Sequence, residues 1–101
     1  MKHVYITIAG TCFYHGQDFL KKGMTVHLEK EPENPYDAEA ILVTLPGIGK
    51  IGHVANSVRT VIGESMSAGR LYDRIGKKAK AKVVAVLPDG VLCEVEKKSL
   101  K

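Results

Sequence analysis

The sequence contains no tryptophan and only two cysteines, Cys12 and Cys93, which are far apart and form no CxxC pair. Neither a zinc site nor a disulfide framework is therefore indicated, and a reducing cytoplasm is the expected compartment. The N-terminus also lacks the apolar core of a signal peptide, and no apolar run approaches the length that spans a membrane. We therefore expect a cytoplasmic location and no membrane partner.

Common catalytic motifs are missing as well, because the sequence has no GxSxG, no P-loop and no HExxH. Cys12 and His15 would supply only half of a metal site, and no further ligands stand at a suitable spacing. A metal-dependent hydrolase would have to use Asp37, Glu39 and His53, and no ligand spacing supports it. We predict a protein that is not an enzyme and that needs no metal or cofactor.

The composition is that of one small globular domain: 101 residues, of which 45% are hydrophobic and 26% charged. We predict a single domain over residues 1–101, with a core of about 4–96 and a polar tail, 97–101, that frays. The net charge of +4 is uneven, because residues 1–50 carry five Lys/Arg against six Asp/Glu and residues 51–101 carry ten against five. This pattern indicates one basic face and permits a nucleic acid or an acidic surface as partner.

Apolar–polar alternation, β-branched residues and turn residues predict six short strands. In the last third of the chain, Pro88-Asp89-Gly90 predicts a tight turn between two of them, because proline presets φ and glycine accepts a positive φ. The predicted strands cover residues 3–9, 24–30, 40–45, 50–54, 78–87 and 91–96.

One clear helix is predicted from Asn56 or Ser57, either of which can cap its N-terminus, to Gly69, which can end it. Its single apolar face would consist of Val58, Val61, Ile62 and Met66. Shorter helical turns are predicted over residues 17–22 and 70–75. Since strands and helices do not alternate regularly, the elements indicate a mainly-β domain: a small, partly open six-stranded barrel with one clear α-helix and one or two short helical turns.

Residues 29–41 form a polar segment with two prolines between two apolar runs, and this segment brings Asn34, Tyr36 and Asp37 together. Proline fixes φ and keeps the preceding residue extended, so the segment is expected to be a rigid loop. Such a loop is either a structural turn, with Tyr36 buried and both polar side chains bonding backbone amides, or a place for binding residues.

The chemistry that remains is that of nucleic-acid binding. Tyr36, Phe13 and Tyr14 offer flat faces on which bases could stack, and one of the two adjacent aromatics is expected in the core because neighbouring side chains of an extended chain point in opposite directions. Asp37 repels phosphate, so a nucleic-acid site that contains it must use it for a hydroxyl or an amino group. A free strand end carries such a hydroxyl and lacks the next phosphate, so a reader of strand ends fits these residues.

A row of lysines in the fifth predicted strand has two interpretations. Lys78, Lys80 and Lys82 alternate with apolar residues and therefore share one face. They could follow a phosphate backbone, or they could form a solvated or edge-protecting face.

The segment from Val26 to Val43, centred on the pattern E-P-x-N-P-Y-D-x-x-A-I, resembles the HIRAN domain, as do Phe13-Tyr14-His15-Gly16 and Ile51-Gly52-His53-Val54. The resemblance covers about residues 4 to 96. HIRAN domains occur at the N-terminus of eukaryotic fork-remodelling helicases and alone in bacterial proteins, and the likeness here is to the stand-alone type. It implies an OB-like barrel of six strands with two helices. It also implies binding of single-stranded DNA at its 3′-hydroxyl end, in DNA repair or replication-fork processing, with a helicase or nuclease as a candidate protein partner.

The same resemblance implies a role for each matching residue. Asp37 would accept the terminal 3′-hydroxyl, Tyr36 would stack on or wedge against the terminal base, and Asn34 would brace the loop or touch the end nucleotide. His53 would contact a phosphate near the terminus, and Phe13 takes the place of an aromatic that packs on the nucleotides from the other side.

Two positions depart from the helicase-type pattern. Cys12 stands where those domains have an arginine, and Asn56 where they have a lysine, so both changes remove charge that faces phosphates; Lys78, Lys80 or Arg59 could compensate. The predicted nucleic-acid-binding residues are Phe13, Tyr14, Asn34, Tyr36, Asp37, His53, Asn56, Lys78 and Lys80. The alternative is a protein-interaction or adaptor domain in which the Asn-Pro-Tyr-Asp turn is structural.

Overall fold

Six antiparallel β-strands form a closed barrel in the part of the chain that the computed structural model describes, residues 3–57 and 59–101. In chain order they are β1 (Tyr5–Ala9), β2 (Thr25–Lys30), β3 (Ile41–Leu45), β4 (Gly49–Val54), β5 (Lys78–Leu87) and β6 (Gly90–Val95). Around the barrel the order is β1-β4-β3-β2-β5-β6, and β6 pairs with β1 to close it. The six predicted strands are confirmed within two residues at each end, and the barrel is closed rather than partly open.

Side-chain alternation along the strands fills the barrel with aliphatic residues. On β2, Val26 and Leu28 are buried between partly exposed neighbours, as the alternating pattern predicts. On β3, the continuous run Ile41–Val43 is buried throughout, which fits a strand covered on both faces. The hairpin of β5 and β6 turns at Pro88-Asp89, and the register shifts by a bulge between Val83 and Ala85.

The predicted helix over residues 56–69 is wrong in position. The α-helix of the described chain, α1 (Ala68–Tyr72), is short and begins where the predicted helix was expected to end, with Ser67 as its N-cap. Residues 59–67 form turns and a single bridge instead, and Val58 lies outside the described residues.

Hydrogen bonds to β1 explain why the apolar spacing of residues 59–67 does not produce a helix. Thr7 Oγ1 accepts from the N–H of Ile62 (3.0 Å), and the N–H of Met66 donates to the carbonyl of Tyr5 (2.7 Å). Gly63 has a φ of 57°, a left-handed value that interrupts a right-handed helix. Tertiary bonds to the barrel therefore override the helical periodicity.

Of the two predicted short helical turns, the one at residues 70–75 overlaps α1, whereas the one at residues 17–22 does not form. A 3-10 helix, η1 (Thr11–Phe13), precedes residues 17–22, which form irregular turns. There the side chain of Gln17 accepts from Thr11 Oγ1 (3.3 Å) and donates to the carbonyl of Leu87, which ties the segment to the barrel.

The C-terminal tail packs back onto the barrel. A second 3-10 helix, η2 (Lys97–Ser99), follows β6, and Leu100 packs against the core and forms a bridge with Ile75. The N–H of Lys101 donates to the carbonyl of Arg74 (2.8 Å). The prediction that residues 97–101 fray is therefore wrong. None of the helices in the described part of the chain has the length and apolar character needed to cross a membrane.

Candidate nucleic-acid interface

A groove with a volume of about 520 Å³ opens beside β1 and β4. That volume is within the range of binding sites for small ligands, and the groove is open rather than enclosed. Three separate parts of the chain line it: η1 and its flanks, the loop after β2, and the segment after β4. The lining residues are Ala9, Gly10, Phe13, Tyr14, Asp37, His53, Val54, Ala55, Asn56, Ser57 and Thr60.

The loop after β2 owes its shape to Asn34. Its Oδ1 accepts hydrogen bonds from the backbone N–H groups of Tyr36 (2.9 Å) and Asp37 (3.1 Å), as a turn asparagine does. Its own N–H donates to the carbonyl of Glu31 (3.0 Å). The loop therefore holds the side chain of Tyr36 away from the barrel, and this ring is 96% exposed. A buried, packed Tyr36, which the purely structural interpretation expects, does not occur.

The carboxylate of Asp37 is fixed from two sides at the edge of the groove. Its Oδ1 accepts from the backbone N–H of Glu39 (2.9 Å), and its Oδ2 accepts from Nδ2 of Asn56 (2.9 Å). The Oδ1 of Asn56 in turn accepts from the N–H of Gly69 in α1 (2.7 Å). We call this chain of contacts, from Asp37 through Asn56 to Gly69, the Asn56 bridge. A carboxylate has about four lone-pair sites, so Asp37 can still accept from a ligand hydroxyl.

His53 reaches the groove from β4, where Gly52 allows β4 to approach β1 closely. A Cβ on Gly52 would come within 2.8 Å of both the carbonyl oxygen of Ala9 and Cγ2 of Ile8, so any larger residue there would move His53. Nε2 of His53 lies 2.7 Å from Oε1 of Glu31.

Glu31 is a neighbour of the groove that sequence reasoning missed. In the sequence, Glu31 stands out only as the first residue of the E-P-x-N-P-Y-D pattern. Its contact with His53 could not be predicted, because 22 residues separate the two. The same Oε1 also accepts from Nδ2 of Asn34 (3.3 Å), so Glu31 joins the histidine to the loop that carries Tyr36. Its carboxylate engages one ring nitrogen of His53, Nε2.

Phe13 and Tyr14 both remain outside the core. Phe13 is 84% exposed and Tyr14 is 38% exposed, so the prediction that one of them is buried is wrong. The reason is that η1 is helical rather than extended, and Thr11 takes the buried position instead. The ring of Tyr14 lies 6.2 Å from that of His53, centroid to centroid, with the planes inclined by 42°. Both aromatic faces therefore border the groove.

The structure does not bring Lys78 and Lys80 to this groove. Both lie on β5, which is separated from β4 by two strands in either direction around the barrel. Among the described residues that line the groove there is no lysine or arginine. The groove therefore offers aromatic faces, a histidine, amides and one carboxylate, with little positive charge.

The buried cysteine is not available as a nucleophile, and the described residues form no metal cluster. Cys93 is fully buried in the barrel, and this burial raises the pKa of its thiol to about 12, so it stays protonated at neutral pH. Within residues 3–57 and 59–101, no three His, Cys, Asp or Glu side chains are grouped to hold a metal ion.

A closed six-stranded barrel whose loops carry exposed aromatics beside a shallow polar groove defines a small β-barrel binding module. The sequence profile of the HIRAN domain matches residues 1–87. The chain therefore belongs to the HIRAN domain family, as its E-P-x-N-P-Y-D pattern predicts, and HIRAN domains are DNA-binding modules rather than catalytic ones.

The crystal structure of the HIRAN domain of human HLTF has the same fold. It aligns with a TM-score of 0.59 and 17% sequence identity, over 96% of this chain and 78% of that chain. No curated protein sequence matches the chain at a significant level.

Proposed function

We propose that this chain binds the 3′-hydroxyl end of single-stranded DNA without catalysing a reaction on it. A cellular role in DNA repair or replication-fork processing follows, in which a helicase or nuclease supplies the chemistry. The observation that carries the proposal is the carboxylate of Asp37, which is held at the groove by two hydrogen bonds and keeps acceptor capacity for a hydroxyl.

Charge supports a terminal hydroxyl over an internal phosphate as the group that meets Asp37. Two unit charges 4 Å apart interact by about 1 kcal/mol in water and about 4 kcal/mol near a protein surface. A 3′-phosphate in this place would meet that repulsion, and no lysine or arginine among the described lining residues would offset it. A hydroxyl would instead gain a hydrogen bond to a charged acceptor, which is worth about 1.5–3 kcal/mol.

The aromatic side chains supply the sequence-independent part of the binding. The exposed ring of Tyr36, next to Asp37 in the chain, is available to stack on or wedge against the terminal base, and Phe13 and Tyr14 line the groove itself. His53 contacts a phosphate near the terminus when Glu31 releases its ring nitrogen. Asn34 braces the loop through its two backbone contacts.

The experiment compares three single strands of one sequence. The first ends in a 3′-hydroxyl and the second in a 3′-phosphate, and the third has its 3′ end blocked so that only its 5′ end is free. The 3′-hydroxyl strand should bind most tightly, and Asp37→Ala should abolish the preference. Asp37→Asn is the companion variant, because it keeps the shape and the acceptor for the N–H of Glu39 but loses the charge and the acceptor for Nδ2 of Asn56. It should bind the 3′-phosphate strand better than the wild type does. Equal binding of all three strands by the wild type would refute the proposal.

A protein-interaction or adaptor domain is the second candidate. In its favour, Asn34 and Asp37 both accept from backbone N–H groups, as structural turn residues do. If no strand binds and Asn34→Ala lowers the melting temperature by several degrees while Tyr36→Ala does not, the adaptor function is favoured.

A further inference from the structure

The lysine row of β5 lies on the face of the barrel opposite the groove. We define this row as Lys78, Lys80 and Lys82. All three side chains are exposed, whereas the residues between them, Ala79 and Ala81, are buried in the barrel. The row ends at the bulge after Val83, where the alternation of exposed and buried residues stops. It is therefore a short, straight array of amino groups on one strand.

Edge protection does not explain the row. Lysines on an edge strand prevent pairing with other chains, but β5 is paired with β2 over Lys78–Lys82 and with β6 over Ala81–Leu87. Beyond β6, the carbonyl of Lys80 accepts from the N–H of Glu96 and its own N–H donates to Oγ of Ser99, so the edge at Lys80 is already covered.

Pairing with carboxylates does not neutralise the row either. Glu29 stands opposite Lys78 on β2, and Glu94 stands opposite Lys82 on β6. In the described chain, however, no carboxylate oxygen lies within 4 Å of the amino group of any lysine in the row. Glu94 bonds to His3 instead, and the nearby Glu96 is 3.7 Å from Lys98.

The central lysine has one acidic neighbour. Lys80 stands opposite His27 on β2, and on its other side the N–H of Glu96 donates to its carbonyl (2.9 Å). The carboxylate of Glu96 lies 3.7 Å from Lys98 rather than within 4 Å of Lys80. Beyond β6, a shallow depression of about 430 Å³ is lined by Lys82, Lys97 and Lys98 together with Glu94 and Glu96, so that lysines outnumber carboxylates there.

From these observations we propose that the lysine row binds the phosphate backbone of a single strand, at a second surface separate from the groove. Alternate residues of a strand are about 6.7 Å apart. That repeat is comparable to the separation of successive phosphates in an extended single strand, so each amino group can meet one phosphate. With no aromatic residue in the row, the binding is independent of base sequence and relies on charge. The protein then holds one strand end in the groove while the backbone of another segment lies across the barrel.

A circular single-stranded DNA separates the two surfaces because it has no 3′ end. The test variant replaces all three lysines of the row with glutamine. Each lost phosphate contact lowers the slope of log K against log[salt] by about 0.7. Three lost contacts should therefore lower the slope by about 2 and weaken binding of the circle by about 100-fold at 0.1 M salt. The single variant Lys80→Gln, which perturbs the fold least, should weaken it about 5-fold.

Two controls have defined outcomes. Replacing the exposed Lys22, Lys50 and Lys101 with glutamine gives a protein with the same net charge as the row variant. It should bind the circle within about 3-fold of the wild type. Replacing the row with arginine should preserve binding. Failure of the wild type to bind the circle, or an equal loss in the Lys22/Lys50/Lys101 variant, would overturn the proposal.

The outcome is independent of the proposed function of the groove. The row variant should keep the preference for a 3′-hydroxyl over a 3′-phosphate on linear strands. If the row variant loses that preference as well, the two surfaces are not separate and the inference fails.

Discussion

Removing the Asn56 bridge should reduce the ability of the groove to recognise a strand end. In Asn56→Ala, Oδ2 of Asp37 loses its hydrogen-bond donor and the N–H of Gly69 loses its acceptor. The carboxylate then keeps only the N–H of Glu39 and gains rotational freedom, which must be lost again when a ligand binds. Immobilising one such side chain costs about 0.5–1.5 kcal/mol, so the affinity for a 3′-hydroxyl strand should fall about 2- to 12-fold.

The bridge also contributes to stability, although less than a buried contact would. Asn56 is exposed, so the two lost hydrogen bonds together should cost about 1 kcal/mol, which corresponds to a decrease of about 4–8 °C in melting temperature. The variant therefore stays folded at room temperature, where binding can be measured by fluorescence anisotropy with 3′-hydroxyl and 3′-phosphate strands. The decisive quantity is the ratio of the two affinities, because a general loss of binding would lower both.

Ser57→Ala is the matched control for this measurement. Ser57 also lines the groove and its Oγ accepts only a local backbone bond from Arg59, without touching Asp37. Its ratio of affinities should equal that of the wild type. If Asn56→Ala keeps the wild-type ratio, or if Ser57→Ala lowers the ratio to the same degree, the idea that Asn56 orients Asp37 is refuted.

Three further predictions concern single side chains. Tyr36→Ala should barely change the melting temperature because the ring is 96% exposed, but it should weaken strand binding by about 1–3 kcal/mol if a base stacks there; a large thermal shift would contradict this. Gly52→Ala should cost about 1–3 kcal/mol because its Cβ would meet the backbone of β1, whereas Gly76→Ala, with open space around it, should be close to neutral in thermal denaturation. A thiol-alkylating reagent should modify Cys12 readily in the native protein and Cys93 only after unfolding, because Cys93 is buried and its pKa is raised to about 12; rapid native labelling of both would disprove the packing.

The strands could be predicted from the sequence because their signal is local. Residues 24–30 alternate in a way that only a half-buried strand satisfies, and the Pro88-Asp89-Gly90 turn sets where the last hairpin reverses. The helix could not be placed, because residues 59–67 carry a helical period that competes with hydrogen bonds to β1. The partner in those bonds, Thr7, is more than fifty residues away and no local pattern indicates it.

The candidate site was predictable residue by residue but not as an assembly. The family pattern points to Asp37 and His53, and the structure places both in one groove. The pattern could not reveal that Glu31 pairs with His53. It also showed Asn56 only as the loss of a lysine's charge, whereas in the structure Asn56 donates a hydrogen bond to Asp37. These are contacts between segments that only the closed barrel brings together.

The last strand has a consequence for how the domain is delimited. The family profile ends at residue 87, at the end of β5, whereas β6 supplies the buried side chains of Val91, Cys93 and Val95. A chain that stopped at residue 87 would leave both β1 and β5 without a neighbour on one side and would open the aliphatic interior to water. The cooperative folding unit is therefore larger than the segment that the family profile matches. It includes β6, the strand that closes the barrel by pairing with both β1 and β5.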